Sequence, residues 1–298
     1  MTENRILDIS ESGAHLHLLN SNLVVDRTDN EPVLIPITDL ASVCISHPSI
    51  TISKSVMSAL AEEGIALVIC DDKFMPSGML LPIHSHYLQS RRFADQAAAA
   101  LPTKKRLWQQ VVRAKIRAQA KILLEVRGSD EDLTSLVKQV RSGDVTNVEA
   151  TAARRYWSAL FSGTSFRRDR FGNWPNPALN YGYAILRAIV ARSICTSGLH
   201  PSLGLHHSNQ YNPFCLADDL MEPYRPTVDL VIATKFKQER EDNSLQREDR
   251  AVLISALYGR FNFGNESRSL FDVLSRMTSS LAAVFEGSGT NLAIATPG

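Results

Sequence analysis

Over roughly the first 80 positions, apolar residues come in short alternating or continuous groups separated by polar breaks. Ile6 to Ile9, His15 to Leu19 and Val33 to Ile35 have the two-residue period or short apolar run of strands. One helix interrupts them: Ser53 can cap it, Val56, Met57, Leu60 and Ala61 form its apolar stripe, and Gly64 ends it. Ile65 to Cys70 then reads as a buried strand. From about Tyr87 the period changes to that of helices, which are predicted over 91–100, 106–127, 148–161, 178–195 and 270–285. The expected fold class is α+β, with a small β-rich N-terminal domain (1–84) and a larger all-helical C-terminal domain (85–298). Pro82 to His86 serves as the linker, and the last dozen residues are expected to fray.

Composition narrows this picture only a little. A chain of 298 residues with 44% hydrophobic and 21% charged residues can bury its own core. Cys44, Cys70, Cys195 and Cys215 are far apart and form no CxxC pair, which argues against a zinc knuckle or redox pair and for reduced thiols. The N-terminus lacks the basic and apolar regions of a signal peptide, and no apolar run approaches the roughly 18 residues of a membrane span. A cytoplasmic protein with no membrane partner is expected.

The net charge of +1 predicts no polyanion partner, but its distribution does. Residues 91 to 127 hold ten Lys or Arg, including Arg91, Arg92, Arg113, Arg117 and Lys121, against only Asp95 and Glu125, a local charge of +8. Arg113, Arg117 and Lys121 fall at four-residue spacing on one helix face, and Arg167, Arg168 and Arg170 share a loop. Such concentration suits a phosphate backbone, while the plain alternative is a solvated helix face.

Two stretches carry candidate chemistry. In residues 204–229, Asn212 and Pro213 read as a helix start, which would place Asp218, Asp219 and Glu222 near one face with His206 and His207 in the loop before it. Imidazole and carboxylates together suit Mg²⁺ or Mn²⁺ better than a thiolate-seeking metal. Acidic residues favoured by the helix dipole and a surface His pair explain the same letters without a metal. Glu149 opens a second helix, where Thr146 and Glu149 match a capping box; the carboxylate could instead face a pocket among Ala150, Ala152 and Ala153.

At these residues the chain resembles a known family. His206-His207, Asn209, Asn212-Pro213-Phe214, Leu216, Asp219-Leu220 and Glu222 to Pro226 resemble the signature of the CRISPR-associated adaptation integrases and endonucleases. The form is the short one found beside single-protein, RNA-guided effectors. Arg5 to Ser10, Ile35 to Leu40, Asn147 to Trp157 and Leu179 to Arg187 agree in family order. The resemblance implies a β-rich domain followed by a helical one, and a divalent metal held by Glu149, His207 and Glu222, with Asp219 as an alternative or supporting ligand. It also implies transesterification, in which the 3′-hydroxyl of a short DNA fragment attacks a phosphodiester at the edge of a repeat. The partners implied are DNA, a second copy of the chain in a homodimer joined through the β domains, and a small adaptation protein completing a heterohexamer. A stand-alone metal-dependent nuclease on branched or single-stranded DNA and a non-catalytic DNA-binding scaffold are the competing readings.

Overall fold

The computed structural model describes residues 4–28, 30–71, 76–82, 86–164, 166–236, 240 and 244–297. The expected domain boundary at 84/85 lies outside the described residues. Eight strands and one helix come first: β1 (Arg5–Ile9), β2 (Ala14–Leu19), β3 (Asn22–Arg27), β4 (Asn30–Pro36), β5 (Leu40–Ile45), β6 (Ile50–Ile52), α1 (Lys54–Glu62), β7 (Ala66–Cys70) and β8 (Pro76–Leu80). They form two four-stranded sheets, ordered β1-β5-β7-β8 and β4-β3-β2-β6. Ile9, Leu16, Leu23, Val25, Leu40, Val43 and Leu67 pack between the sheets, together with Val56 and Leu60 of α1. Ser53 caps α1 as the sequence predicts, its side chain accepting from the Val56 N–H.

Strand β5 is buried along both faces, which a period-two pattern alone does not show. Leu40 and Val43 face the inter-sheet core, whereas Ala41 and Cys44 join Ile6 and Val68 against the helices. The first sheet therefore serves two cores.

The rest is mainly helical: α2 (Gln89–Ala98), α3 (Leu101–Arg127), α4 (Leu133–Val137), α5 (Val148–Leu160), α6 (Asn176–Thr196), α7 (Cys215–Met221), α8 (Arg225–Lys235), α9 (Arg247–Ala256) and α10 (Leu270–Phe285). Helix α6 is apolar nearly all round, and residues on all its faces, from Ala178 to Ile194, are buried in the middle of the bundle. Helix α3 runs 27 residues and ends at Gly128, whose φ of 77° suits a left-handed cap. Its middle packs on α4, α5, α8 and the turn between α7 and α8.

Two features differ from the sequence expectation. The helical part carries a small sheet, β9 (Arg260–Phe263), β10 (Glu266–Ser269) and β11 (Thr296–Pro297), ordered β10-β9-β11. The C-terminal residues, expected to fray, are anchored instead. Leu292 N–H donates to Gln110 Oε1 at 2.9 Å, Ala293 N–H to Ser280 Oγ at 2.9 Å, and Ala295 is buried. Backbone donors that find partners and apolar side chains that leave water together hold a tail that its Gly-Ser-Gly approach suggested was loose.

Candidate active site

Three elements bring the candidate residues together. Glu149 stands in the first turn of α5, Glu222 opens a 3₁₀ turn (Glu222–Tyr224) between α7 and α8, and Lys115 reaches in from the middle of α3. Lys115 Nζ lies 2.6 Å from Glu149 Oε1 and 2.6 Å from Glu222 Oε2. All three side chains are largely removed from water, so each charge needs the others. Burial alone would depress the lysine pKa, but Glu222 and Glu149 more than offset it and hold Lys115 above its ordinary value. Burial would raise Glu222, yet Arg225 and Lys115 hold it below the usual carboxylate range. Arg225 Nε is 2.8 Å from Glu222 Oε1, and its guanidinium lies 4.6 Å from the Tyr183 ring centroid.

The α5 start overturns the capping-box reading. Its N-cap is Asn147, in the left-handed region at φ 52°, with no side-chain cap of its own. Asp144, buried just upstream, accepts from Val148 N–H at 3.0 Å and Glu149 N–H at 2.9 Å. With the orphan N–H groups satisfied there, the Glu149 side chain is free to turn toward Lys115.

The histidine loop is built on Asp219, which is fully buried in α7. Its carboxylate accepts from the backbone N–H of Leu205 at 2.6 Å, His206 at 3.0 Å and His207 at 3.3 Å. His207 Nδ1 is a further 2.6 Å from Asp219 Oδ1. That contact lifts the His207 pKa, with Glu222 and Asp218 adding to it, and it reserves the other ring nitrogen, Nε2, for a ligand. The loop can close this tightly because residue 204 is glycine: a Cβ there would lie 2.3 Å from His207 O. Trp108 of α3 stacks flat on His206, with ring centroids 4.4 Å apart, and meets His207 edge-on.

The backbone stays helical through Glu222, so Asp218, Asp219 and Glu222 keep their one-turn spacing, yet each meets different partners. The helix begins at Cys215 rather than Pro213, because Asn212 folds into a turn in which its Oδ1 accepts from Phe214 N–H and its Nδ2 donates to Asp218. Asp218 pairs with Arg187 at 2.7 Å, Asp219 holds the histidine loop, and only Glu222 meets Lys115. The three carboxylates have three separate tasks.

Among the described residues, no three His, Cys, Asp or Glu side chains converge closely enough to hold a metal ion. The donor set nonetheless fits one. Glu222 Oε2 is buried, and its charge is met at 2.6 Å by the Lys115 ammonium. Oxygens of two carboxylates beside one imidazole suit a hard or borderline divalent cation. A separate cavity of about 470 Å³, lined in part by Phe161, Phe166, Trp174 and Phe236, lies at the other end of α5 and includes none of these groups.

A family model described as CRISPR associated protein Cas1 matches residues 7–257. The chain belongs to the Cas1 family. It is 37% identical over 276 residues to a CRISPR-associated endonuclease Cas1 of Neisseria meningitidis serogroup C (strain 8013), covering 92% of this chain and 90% of that relative. Among solved structures it is similar to a casposase bound to integration product, with a TM-score of 0.78 and 22% identity, over 97% of this chain and 92% of the other. It is also similar to a chain of a Cas6-RT-Cas1–Cas2 complex, with a TM-score of 0.75 and 19% identity, over 97% of this chain and 36% of that larger one. The two structural likenesses concern the fold, and the β-rich to helical order of this Cas1-family chain agrees with them.

The basic residues divide into two groups. Arg91, Arg117, Arg167 and Arg170 are exposed. Arg92 pairs with Glu286 at 2.7 Å and donates to Ser197 O at 2.8 Å; Arg113 donates to Val140 O at 2.8 Å; Arg168 donates to Asn176 Oδ1 at 2.9 Å and Asn180 Oδ1 at 2.8 Å. Those three hold the fold at these contacts. Lys121 is half-buried on α3. Sequence reasoning missed Lys115 as a site residue by counting it only as charge. Its position was informative: it follows Val111 by four residues and Val112 by three, both fully buried, so it falls on the stripe that faces the core. No helix among the described residues is long and apolar enough to cross a membrane.

Proposed function

We propose that the chain is a divalent-metal-dependent DNA integrase and endonuclease of CRISPR adaptation, which joins short DNA fragments into a repeat array in the cytoplasm. The observation that carries this is the convergence of Glu149 and Glu222 from separate elements on Lys115, with a His207 that is held by buried Asp219 and feels the charge of Glu222. The endonuclease name of the Neisseria relative and the integration product bound to the casposase support the reading. In the reaction, a 3′-hydroxyl oxygen bonds to phosphorus as the bond to the leaving 3′-oxygen of the repeat breaks, so no nucleotide cofactor is consumed.

Glu149, His207 through Nε2, and Glu222 would hold Mg²⁺ or Mn²⁺. A bound divalent cation supplies charge stabilisation at phosphodiester oxygens and acidifies a coordinated hydroxyl. Asp219 fixes the imidazole tautomer and its direction, Arg225 balances Glu222, and the Trp108 surface keeps the histidine loop from shifting. The exposed Arg117, Arg167 and Arg170 would meet DNA backbones. A homodimer, and a heterohexamer with a small partner of the Cas2 kind, complete the proposal; the Cas1–Cas2 content of the similar complex supports the choice of partner.

Labelled duplex with free 3′ ends, a supercoiled repeat array and Mn²⁺ provide the test. Wild type gives covalently joined product. Glu149→Gln, His207→Ala and Glu222→Gln each abolish joining while the fold persists, and the triple variant is scarcely worse than any single one. His206→Ala, which loses the Trp108 stack but keeps the Asp219 contacts to the loop, is mild by comparison. An active Glu149→Gln enzyme overturns the site, and cleavage without joining by wild type marks a plain nuclease.

A further inference from the structure

The seat between the two glutamates already holds a positive charge. Lys115 Nζ contacts one oxygen of each carboxylate at 2.6 Å, with its side chain 14% exposed. Together with Arg225 on the other oxygen of Glu222, it makes a neutral group of two anions and two cations, largely shielded from water. A divalent cation bound by Glu149 and Glu222 needs the same carboxylates, and a buried ammonium in contact with both repels it strongly in a medium of low dielectric.

We propose that Lys115 is a removable counter-ion: it holds Glu149 and Glu222 together in the metal-free protein and is displaced when a divalent cation binds. The inference rests on the metal reading given above. No covalent change is involved. The ammonium breaks two ion pairs, the cation takes up the carboxylates, and the flexible four-carbon stem of lysine allows the head group to move without disturbing α3. The charge balance then moves from zero to positive. Two carboxylates with Lys115, Arg225 and a divalent cation leave a surplus of two positive charges, and that surplus favours an incoming phosphodiester. Lys115 thus sets the threshold for metal loading and afterwards becomes available to the DNA backbone, so metal and DNA should favour each other's binding.

The test is calorimetric titration of the full-length protein with MnCl₂ in the absence of DNA, comparing wild type with Lys115→Met. Methionine keeps much of the length and removes the charge. With no ammonium to displace, Lys115→Met should bind Mn²⁺ on the order of ten-fold more tightly. Its metal-free melting temperature should fall, because two carboxylates are left facing each other, and Mn²⁺ should raise it further than it raises wild type. Lys115→Gln, which can donate to either glutamate, provides the same comparison should the methionine variant not fold without metal. Equal or weaker Mn²⁺ binding by both variants overturns the proposal and makes Lys115 a permanent member of the site. No Mn²⁺ binding by wild type overturns the metal reading itself, and this inference with it.

Discussion

Asp229 shows how far burial can alter a single residue. It lies in α8 with 1% exposure and accepts hydrogen bonds from the Tyr156 hydroxyl at 3.0 Å and from the Tyr183 hydroxyl. Burial pushes its pKa up to about 7, against the two tyrosine hydrogen bonds and the nearby Arg225 and Arg168, which pull it down. In the folded chain the carboxyl keeps its proton through a range where the unfolded chain, with an Asp pKa of about 4, has lost it. The folded state therefore binds more protons, and the contribution is fully present below about pH 4 and is lost as pH rises to about 7. Asp229→Asn keeps the shape and cannot ionise, while either tyrosine hydroxyl can rotate to suit the amide. Chemical denaturation should show the variant gaining on wild type between pH 5 and pH 8. A stability difference that is the same at both values would show that the carboxylate is ionised throughout.

At the scale of elements, α5 permits a decisive comparison. Asp144 accepts from the Val148 and Glu149 N–H groups, whereas exposed Thr146 makes no cap. Asp144→Ala should cost about 1–2 kcal/mol in denaturant titrations, and Thr146→Ala close to nothing. The reverse order would restore the capping box and remove the reason Glu149 points at Lys115. The helices themselves were legible, because α3, α5 and α10 each carry an apolar stripe long enough to show a 3.6-residue period and α6 an apolar run too long for a strand. So was the cap of α1 at Ser53. Helix starts that depend on a residue outside the usual cap position were not, and the α5 start is of that kind. Nor was β11, which pairs with β9 more than thirty residues earlier; local patterns carry no trace of so distant a pairing. At the site, Glu149, His207 and Glu222 could be named from resemblance, but Lys115 could be found only by asking which face of α3 a lysine occupied.

The whole molecule is joined across its two cores by Arg250 of α9. Its side chain, 3% exposed, pairs with Asp8 of β1 at 3.1 Å and with Glu11, and donates to Leu245 O at 2.8 Å. The first sheet is thus tied to the helices by charge as well as by Ile6, Cys44 and Val68. The basic surface is also a property of the whole. Reversing Arg117 and Arg170 together should weaken duplex binding and lower the salt slope by about one unit per lost phosphate contact, as read from affinities across a salt series. An unchanged slope would make both residues ordinary solvated charges. The second sheet ends in an edge strand that is mostly exposed. Strand β4 is at its margin, with Val33 50% and Leu34 54% exposed, and Leu19 at the end of β2 is 49% exposed. An apolar edge strand with open N–H and C=O groups invites pairing with another strand, and proteins that remain monomers usually blunt such edges with charge or proline. Only Glu31, Pro32 and Pro36 do so here, and Val33 and Leu34 lie between them. If that edge joins two copies, light scattering on the intact chain should give about twice the 33.0 kDa monomer mass. Val33→Lys with Leu34→Glu should return it to a monomer whose Mn²⁺ affinity is unchanged, since the glutamate and histidine site is built on other elements. A wild-type monomer at micromolar concentration would dismiss the dimer, and a dimer indifferent to both substitutions would move its interface to another face.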